Sequence, residues 1–464
     1  MTESGPVDLL ISGALAVEAM DGAMADTDTS LPGGWVAVSD GRVVRVGAAS
    51  EAVPAAREVI DAGGCLVTPG LVNAHQHLYQ NLTRSMLPHG VAGLTDWFWT
   101  YFSRWQHLDE ESVRTSTRLG LFELALSGAT TSADHLYIHQ GPGWIDAQVE
   151  EALDVGMRLT AVRGSMTLGP DDGGVCLASM VEDEERVLSD CERLVRAHHD
   201  PSPTSMTQIA LGPSTLMSST ESAFRRSAEL ARDLGVRLHT HVADDPEEEA
   251  FVRTRYQMRP LEKMAELGWI GPDVWFAHVV YPSPREIASM AEHGVSVAHC
   301  PSAMVIDGGL PGGPAPVREM IDAGVNVSIG CDGATAADHQ SVWLETKFAM
   351  LLARLRGGSV SAMTARDALW LATRGGATAL GREGQIGVLA PGACADIALW
   401  RLDDIAHAGA HADPVTALLQ GGPTGVWSSF VGGRPLVRDG HLVGVDERHE
   451  VARHSTSARR LQQL

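Results

Sequence analysis

The 464-residue sequence predicts an α/β architecture, a (β/α)8 TIM-type barrel with a small β-sandwich domain formed from both termini. Three observations lead there. Strand-like apolar runs alternate with helix-like runs through the middle of the chain, as repeated βα units require. A β-rich texture with glycine turns opens the chain and returns near its end. No glycine-rich phosphate fingerprint follows the first strand, which counts against an open dinucleotide-binding sheet.

At the N-terminal end, VDLLISGALAV and GGWVAVSDGRVVRVGAA carry short or alternating apolar runs, broken by turns such as Asp40-Gly41. The central block offers strands over 66–72, 130–133, 158–162, 208–211, 237–241, 274–278, 295–299 and 326–329. Helical stretches lie between most of them, over 110–127, 145–155, 181–198, 220–234, 260–267, 284–292 and 316–323. IGVLAPGACADIALWRL and WSSFVGGRPLVRDGHLVG then restore the β texture. The expected division gives residues 1–65 and 384–464 to the sandwich and 66–383 to the barrel. Two structural units suit the length.

A hydrophobic content of 44% with 20% charged residues is that of an ordinary globular protein. A formal charge of −23 argues against a nucleic-acid scaffold, because phosphate binding needs a positive field. The six cysteines are scattered without a C-x-x-C pair and need no disulfide framework, which suits a reducing compartment. No Lys or Arg precedes Arg42, so a positively charged signal-peptide start is missing, and no uncharged apolar run reaches membrane-spanning length. The expectation is a cytoplasmic homodimer that binds a small molecule rather than nucleic acid or membrane.

In barrels of this kind the chemistry sits at the carboxyl ends of the strands. Four segments end predicted strands there with metal-binding side chains: PGLVNAHQH (His75, His77), VRLHTH (His241), VWFAH (His278) and VNVSIGCDG (Asp332). A lone H-x-H means little, since roughly one is expected by chance in a chain with 19 histidines. The ordered set means more. His75 and His77 are two apart, so on an extended chain both rings point to one side. On strand five His241, nearest the strand end, is taken as the ligand and His239 as a structural neighbour. Three imidazoles and a carboxylate suit Zn2+, and such a borderline donor set also takes Fe2+. Such an ion lowers the pKa of water toward ~7, which points to an enzyme that activates water.

PGLVNAHQHL, HTHVADD, AHVV, AHCPSAM and CDG resemble the successive strand-end motifs of the amidohydrolase superfamily, in its cytosine/guanine deaminase-like branch. IGVLAPGACAD resembles the turn in that branch's C-terminal sheet domain. The likeness covers almost the whole chain. It is closest to 8-oxoguanine deaminases and triazine hydrolases, through HLYQ-x-LTR, LALSG-x-TT-x-ADH, RGSM-x-LG and WRLDD. The resemblance implies one metal ion per chain, held by His75, His77, His241 and Asp332, with His278 orienting the attacking water. The implied activity is hydrolytic deamination of an amino-substituted heterocycle such as an oxidised purine. The alternatives are a triazine-type hydrolase expelling chloride or an alkylamine and, from another class, a metal-binding protein without turnover. The two-metal relatives bridge their ions with a lysine ending strand four. The only lysines here are Lys263 and Lys347, and strand four ends Ala210-Leu211-Gly212-Pro213.

In the implied reaction Asp332 takes a proton from water, and an acid near the ring nitrogen returns one. The family places a Glu three residues after the strand-five ligand; this chain has Asp244, followed by Asp245. Asp is shorter by about 1.5 Å, and a misplacement near 1 Å can cost on the order of 10²-fold in rate. For Asp245 the bland alternative is a merely solvated acidic run that continues through Glu247-Glu248-Glu249. After strand seven the chain has Ala303-Met304-Val305-Ile306-Asp307 where relatives usually show an Asn. Gln80 and Trp97, after strand one, are expected to contact a flat ring. Arg163, after strand three, is expected either to bind a substrate oxygen or to form a structural ion pair.

Overall fold

The computed structural model describes residues 5–24, 30–87, 93–306, 312–410, 412–422 and 425–464. Eight parallel strands form one sheet in chain order: Leu71–Asn73, Ala129–Leu136, Arg158–Ser165, Thr207–Pro213, Arg237–Val242, Val274–His278, Ser296–His299 and Asn326–Ile329. Nearly all their residues are buried, as parallel strands covered by helices must be. Helices start where the sequence supplies a cap. Asp109, Asp183, Thr220 and Ser283 each accept a backbone N–H from the first turn of the helix that follows. Gly156, Gly235 and Gly294 each end a helix in the left-handed conformation.

The first and eighth strands meet at a short seam. The Ala74 amide donates to the Ile329 carbonyl at 2.8 Å, and the His75 carbonyl accepts from the amides of Cys331 and Asp332 at 3.0 and 3.1 Å. Barrel closure therefore fixes the end of strand one against the end of strand eight.

The terminal segments build two further sheets. One has four strands, Val7–Ser12, Trp35–Ser39, Arg42–Gly47 and Ala56–Asp61. The other has seven, drawing Ala16–Glu18, Ser30–Pro32 and Cys65–Pro69 from the N-terminal part and Ile397–Arg401, Ser428–Val431, Arg434–Arg438 and His441–Leu442 from the C-terminal part. Leu9, Ile11 and Val36 of the first pack with Val17, Val67, Ile397 and Phe430 of the second in one apolar core.

Two expectations need correction. The run over 66–72 is not one barrel strand. Cys65–Pro69 pairs antiparallel with Ile397–Arg401 in the seven-stranded sheet, and only Leu71–Asn73 joins the barrel. The break falls at Gly70, whose amide donates to the Asp396 carbonyl. A Cβ there would stand 2.2 Å from Thr130 Oγ1, so the chain crosses between sheets where only glycine fits. The second correction concerns the end of the chain. Glu447–Gln462 is a helix, and it lies on the barrel rather than in the sandwich. His454 Nε2 donates to Asn81 Oδ1 at 2.7 Å, and Gln462 Nε2 donates to the Leu82 carbonyl at 2.7 Å. Among the described residues, no helix is long and apolar enough to cross a membrane.

One buried ion pair ties sandwich to barrel. Arg158, opening strand three, meets the Asp396 carboxylate through Nε at 2.7 Å and Nη2 at 2.9 Å. Both side chains are at most 2% exposed. Asp396→Ala leaves the guanidinium unanswered, and we expect a loss of about 3–5 kcal/mol in unfolding free energy. Denaturant unfolding checks this, and a loss below about 1 kcal/mol would show the pair to be dispensable.

Candidate active site

The strand ends bring four dispersed residues together. His75 and His77 follow strand one, His241 lies in strand five and Asp332 stands three residues past strand eight. One ligand atom from each lies within 4.8 Å of all the others.

The hydrogen bonds behind these rings decide where their protons sit. His77 Nδ1 lies 2.7 Å from the His135 carbonyl, and His241 Nδ1 lies 2.7 Å from the Ser214 carbonyl. A carbonyl only accepts, so each Nδ1 carries the proton and each Nε2 presents a lone pair. Those two Nε2 atoms face each other at 2.9 Å. His239 Nδ1 donates to the Trp275 carbonyl at 2.8 Å, which leaves its Nε2 to accept from His75 Nδ1, also at 2.8 Å. His75 Nε2 is then a buried lone pair without a hydrogen-bond donor. Asp332 Oδ1 lies 3.2 Å from both His75 Nε2 and His77 Nε2. Burial opposes the charged form of three of these rings, lowering His75 to about 3 and holding His239 and His241 well below the ordinary histidine value. Three lone pairs and a carboxylate facing one point repel one another unless a cation sits among them. This donor set fits a divalent metal ion.

The backbone is shaped to hold the cluster. His278, Asp332 and Ala243 adopt positive φ of 72°, 58° and 53°. Such conformations cost of order 1–3 kcal/mol each and concentrate at functional sites. Glycines flank Asp332 because side chains would collide. A Cβ on Gly330 would lie 2.8 Å from the His75 Cβ, and one on Gly333 would lie 1.8 Å from Gln80 Oε1. Gly212, next to last in strand four, has no room for any side chain, since a Cβ there would stand 2.2 Å from the His239 carbonyl. Lys263 is engaged with Glu221 and Glu266, and Lys347 with the Gly421 carbonyl. Neither lysine reaches the cluster to bridge a second ion.

Above the cluster opens a cleft of about 890 Å³, counting its mouth. Gln80, Trp97, Asp244, His278 and Asp332 all line it. Trp97 stands on a helix, Leu94–Trp105, inserted after strand one, and the Phe98, Tyr137 and Tyr281 rings add to its aromatic wall. Gln80 Oε1 accepts from the Thr335 hydroxyl. His278 Nδ1 and Asp244 Oδ1 are 3.3 Å apart, and burial raises the Asp244 carboxyl above its ordinary value. Ala303 and Met304 also line the cleft, whereas Asp307 lies outside the described residues.

Arg163 is the correction among the expected substrate contacts. It does not line the cleft; its guanidinium is buried against Glu182 at 2.7 Å and Asp190 at 2.8 Å. The structural ion pair accounts for it. The acidic run is likewise not a solvated surface. Asp245 caps the helix Pro246–Tyr256 through the Glu247 amide, Glu247 accepts from Thr95, and Glu249 pairs with Arg253 and Arg259. Glu248 turns inward and lines the cleft. Pro246 after Asp245 is a helix-start signal, and Val252 at four residues' spacing marks the buried face on which Glu248 lies. The carbonyls of His135, Ser214 and Trp275 carry no sequence signal, because any residue supplies one.

The comparisons agree with this geometry. The amidohydrolase family model matches residues 66–443. The 8-oxoguanine deaminase of Pseudomonas aeruginosa is 39% identical over 428 residues, covering 92% of this chain and 94% of that protein. An isoxanthopterin deaminase from an unknown prokaryotic organism is 34% identical, covering 94% of each. Among solved structures, the zinc complex of atrazine chlorohydrolase from Arthrobacter aurescens TC1 superposes with a TM-score of 0.90 at 32% identity, covering 97% of this chain and all of that one. With its fold, its strand-end cluster and these matches, the chain belongs to the amidohydrolase family.

Proposed function

We propose that the protein is a mononuclear zinc aminohydrolase that deaminates a flat amino-substituted heterocycle, with His75, His77, His241 and Asp332 holding the ion. The observation that carries this reading is the convergence of three imidazole lone pairs and a carboxylate beneath an aromatic-walled cleft containing Asp244. The two deaminase relatives support a fused bicyclic ring as the substrate class.

A zinc ion in this cluster supplies Lewis acidity that lowers the pKa of water toward ~7. Asp332 takes a proton from the attacking water, and His278 orients that water. Asp244, 3.3 Å from His278, delivers a proton to the ring nitrogen as the adjacent carbon becomes tetrahedral. Nitrogen then leaves as ammonia, carrying a proton that came from the water. Trp97 offers a face for the ring and Gln80 a hydrogen-bonding edge. A triazine-type hydrolase is the second reading, favoured by the fold match to atrazine chlorohydrolase. A binding protein without turnover leaves the Asp244–His278 contact in the cleft unexplained.

A screen of aminopurines, pterins and triazines, with ammonia and chloride both measured, tests the assignment. Ammonia from a bicyclic ring is expected. Chloride from a halogenated triazine, with no ammonia from any ring, would favour the second reading. On the best substrate, Asp332→Asn is expected to abolish turnover in a folded protein, and substantial residual kcat would exclude Asp332 as the base. Asp244→Ala is expected to lower kcat by at least ~10²-fold, and more than Asp245→Ala, whose expected loss is the helix cap, worth ~1 kcal/mol of stability. Equal, small effects at both would remove the proton-donor role from Asp244. His239→Ala is expected to weaken metal affinity about 10–100-fold, because the ring orienting His75 is lost. Chelator competition measures it, and unchanged affinity would overturn the assignment of His75.

A further inference from the structure

One carboxyl in the cleft, Glu248, takes no part in this chemistry. It lies in the first turn of the helix Pro246–Tyr256, is 2% exposed and lines the cleft. Its Oε2 accepts the Asp244 amide at 3.0 Å. Its Oε1 is buried and has no hydrogen-bond partner among the described residues.

Among the described residues no cation answers this carboxyl. Arg253 and Arg259 are turned to Glu249, Arg255 donates to the Asp172 carbonyl, and Lys263 pairs with Glu221 and Glu266. The titratable groups around it are Asp244 and Asp245 on its own segment, His241 and Asp332 on the cleft floor, and His278 and Tyr281 at and after the end of strand six. The helix Leu94–Trp105 contributes only apolar lining residues, Leu94, Trp97 and Phe98. Ionising a fourth carboxyl in such a place is costly. Burial, with Asp244 and Asp245 adding to it, pushes the Glu248 carboxyl up to about 8. In the acid form Oε2 remains the acceptor for the Asp244 amide, so the proton belongs on Oε1. A buried hydroxyl needs an acceptor, and the described protein supplies none.

We propose that Glu248 is a specificity-determining residue of the cleft, a neutral carboxylic acid whose Oε1–H donates to a hydrogen-bond acceptor of the bound heterocycle, a ring nitrogen or ring carbonyl oxygen. The assignment rests on the heterocycle-hydrolase reading and deepens it. A ring presenting an acceptor at that edge is bound, and one presenting an N–H is disfavoured because two donors would meet. Carboxylic acids held neutral by their surroundings serve as donors in the same way elsewhere.

Glu248→Gln is the informative variant. The Asp244 amide holds the Gln carbonyl oxygen in place of Oε2, which puts the NH2 group where Oε1 stood. That variant keeps the donor and cannot titrate. In the wild type the donor is lost as pH rises through about 8, so KM for the best substrate should climb there with little change in kcat. Glu248→Gln should match wild-type KM at pH 7 within about threefold and stay flat above pH 8, whereas Glu248→Met should raise KM about tenfold at pH 7. An alkaline rise in KM retained by Glu248→Gln would overturn the proposal. A second readout needs no turnover. In the zinc-loaded protein at pH 7, the infrared difference between wild type and Glu248→Gln should contain the carbonyl stretch of a protonated carboxyl, bleaching as pH passes about 8. Its absence at pH 7 overturns the proposal whatever the kinetics show. If no heterocycle is turned over, the function reading fails on its own and the infrared result still decides the state of Glu248.

Discussion

Three imidazole lone pairs and one carboxylate face a common point with no proton among them, and much of the barrel's upper rim is organised to hold them there. Left alone, two Nε2 atoms at 2.9 Å would turn apart or pick up a proton. The carbonyls of His135 and Ser214, and His239 behind His75, hold each ring's other nitrogen as a donor and so forbid that escape. Burial opposes protonation of His75 and His241. Apart from a cation, nothing in the local chemistry offsets the repulsion. The cluster is in this sense a site for positive charge before it is a site for any reaction.

That requirement propagates outward. The seam that closes the barrel passes through the His75 carbonyl and the Asp332 amide, so ligand spacing and barrel closure are one constraint. The sandwich braces the first strand through Gly70, and the C-terminal helix braces the turn after His77 through Asn81 and Leu82. Asn81 is next to Gln80 in that turn, so a helix far along the chain helps set one edge of the substrate cleft. Gly330 and Gly333 let strand eight approach His75 and Gln80 at distances no side chain allows.

Much of this was legible in the sequence, because each part had a periodic or spaced signal. Eight apolar runs alternating with helical stretches pointed to the barrel, and H-x-H, His241, His278 and Asp332 each stood at the end of such a run. Most of what escaped reading had no residue-type signature. The switch between sheets at Gly70 depends on a contact with Thr130, sixty residues on. The C-terminal helix buries only His454, Ser457 and Leu461, too sparse a stripe to suggest docking on the barrel. The acidic run misled because three successive glutamates usually mark a solvated face. Helical spacing turned one inward, and the capping Asp245 was the cue to it. Arg163 was open between substrate and ion pair until its partners, Glu182 and Asp190, were placed beside it.

The most direct test of this account is the coordination of zinc in the purified, metal-loaded protein, measured by X-ray absorption at the zinc edge together with metal content. One zinc per chain is expected, with only nitrogen and oxygen in its inner coordination sphere, three imidazoles among them, at about 2.0–2.1 Å. Two ions per chain would contradict it. So would sulfur scattering, which would move the ion to the neighbouring His75, His278 and Cys300 set.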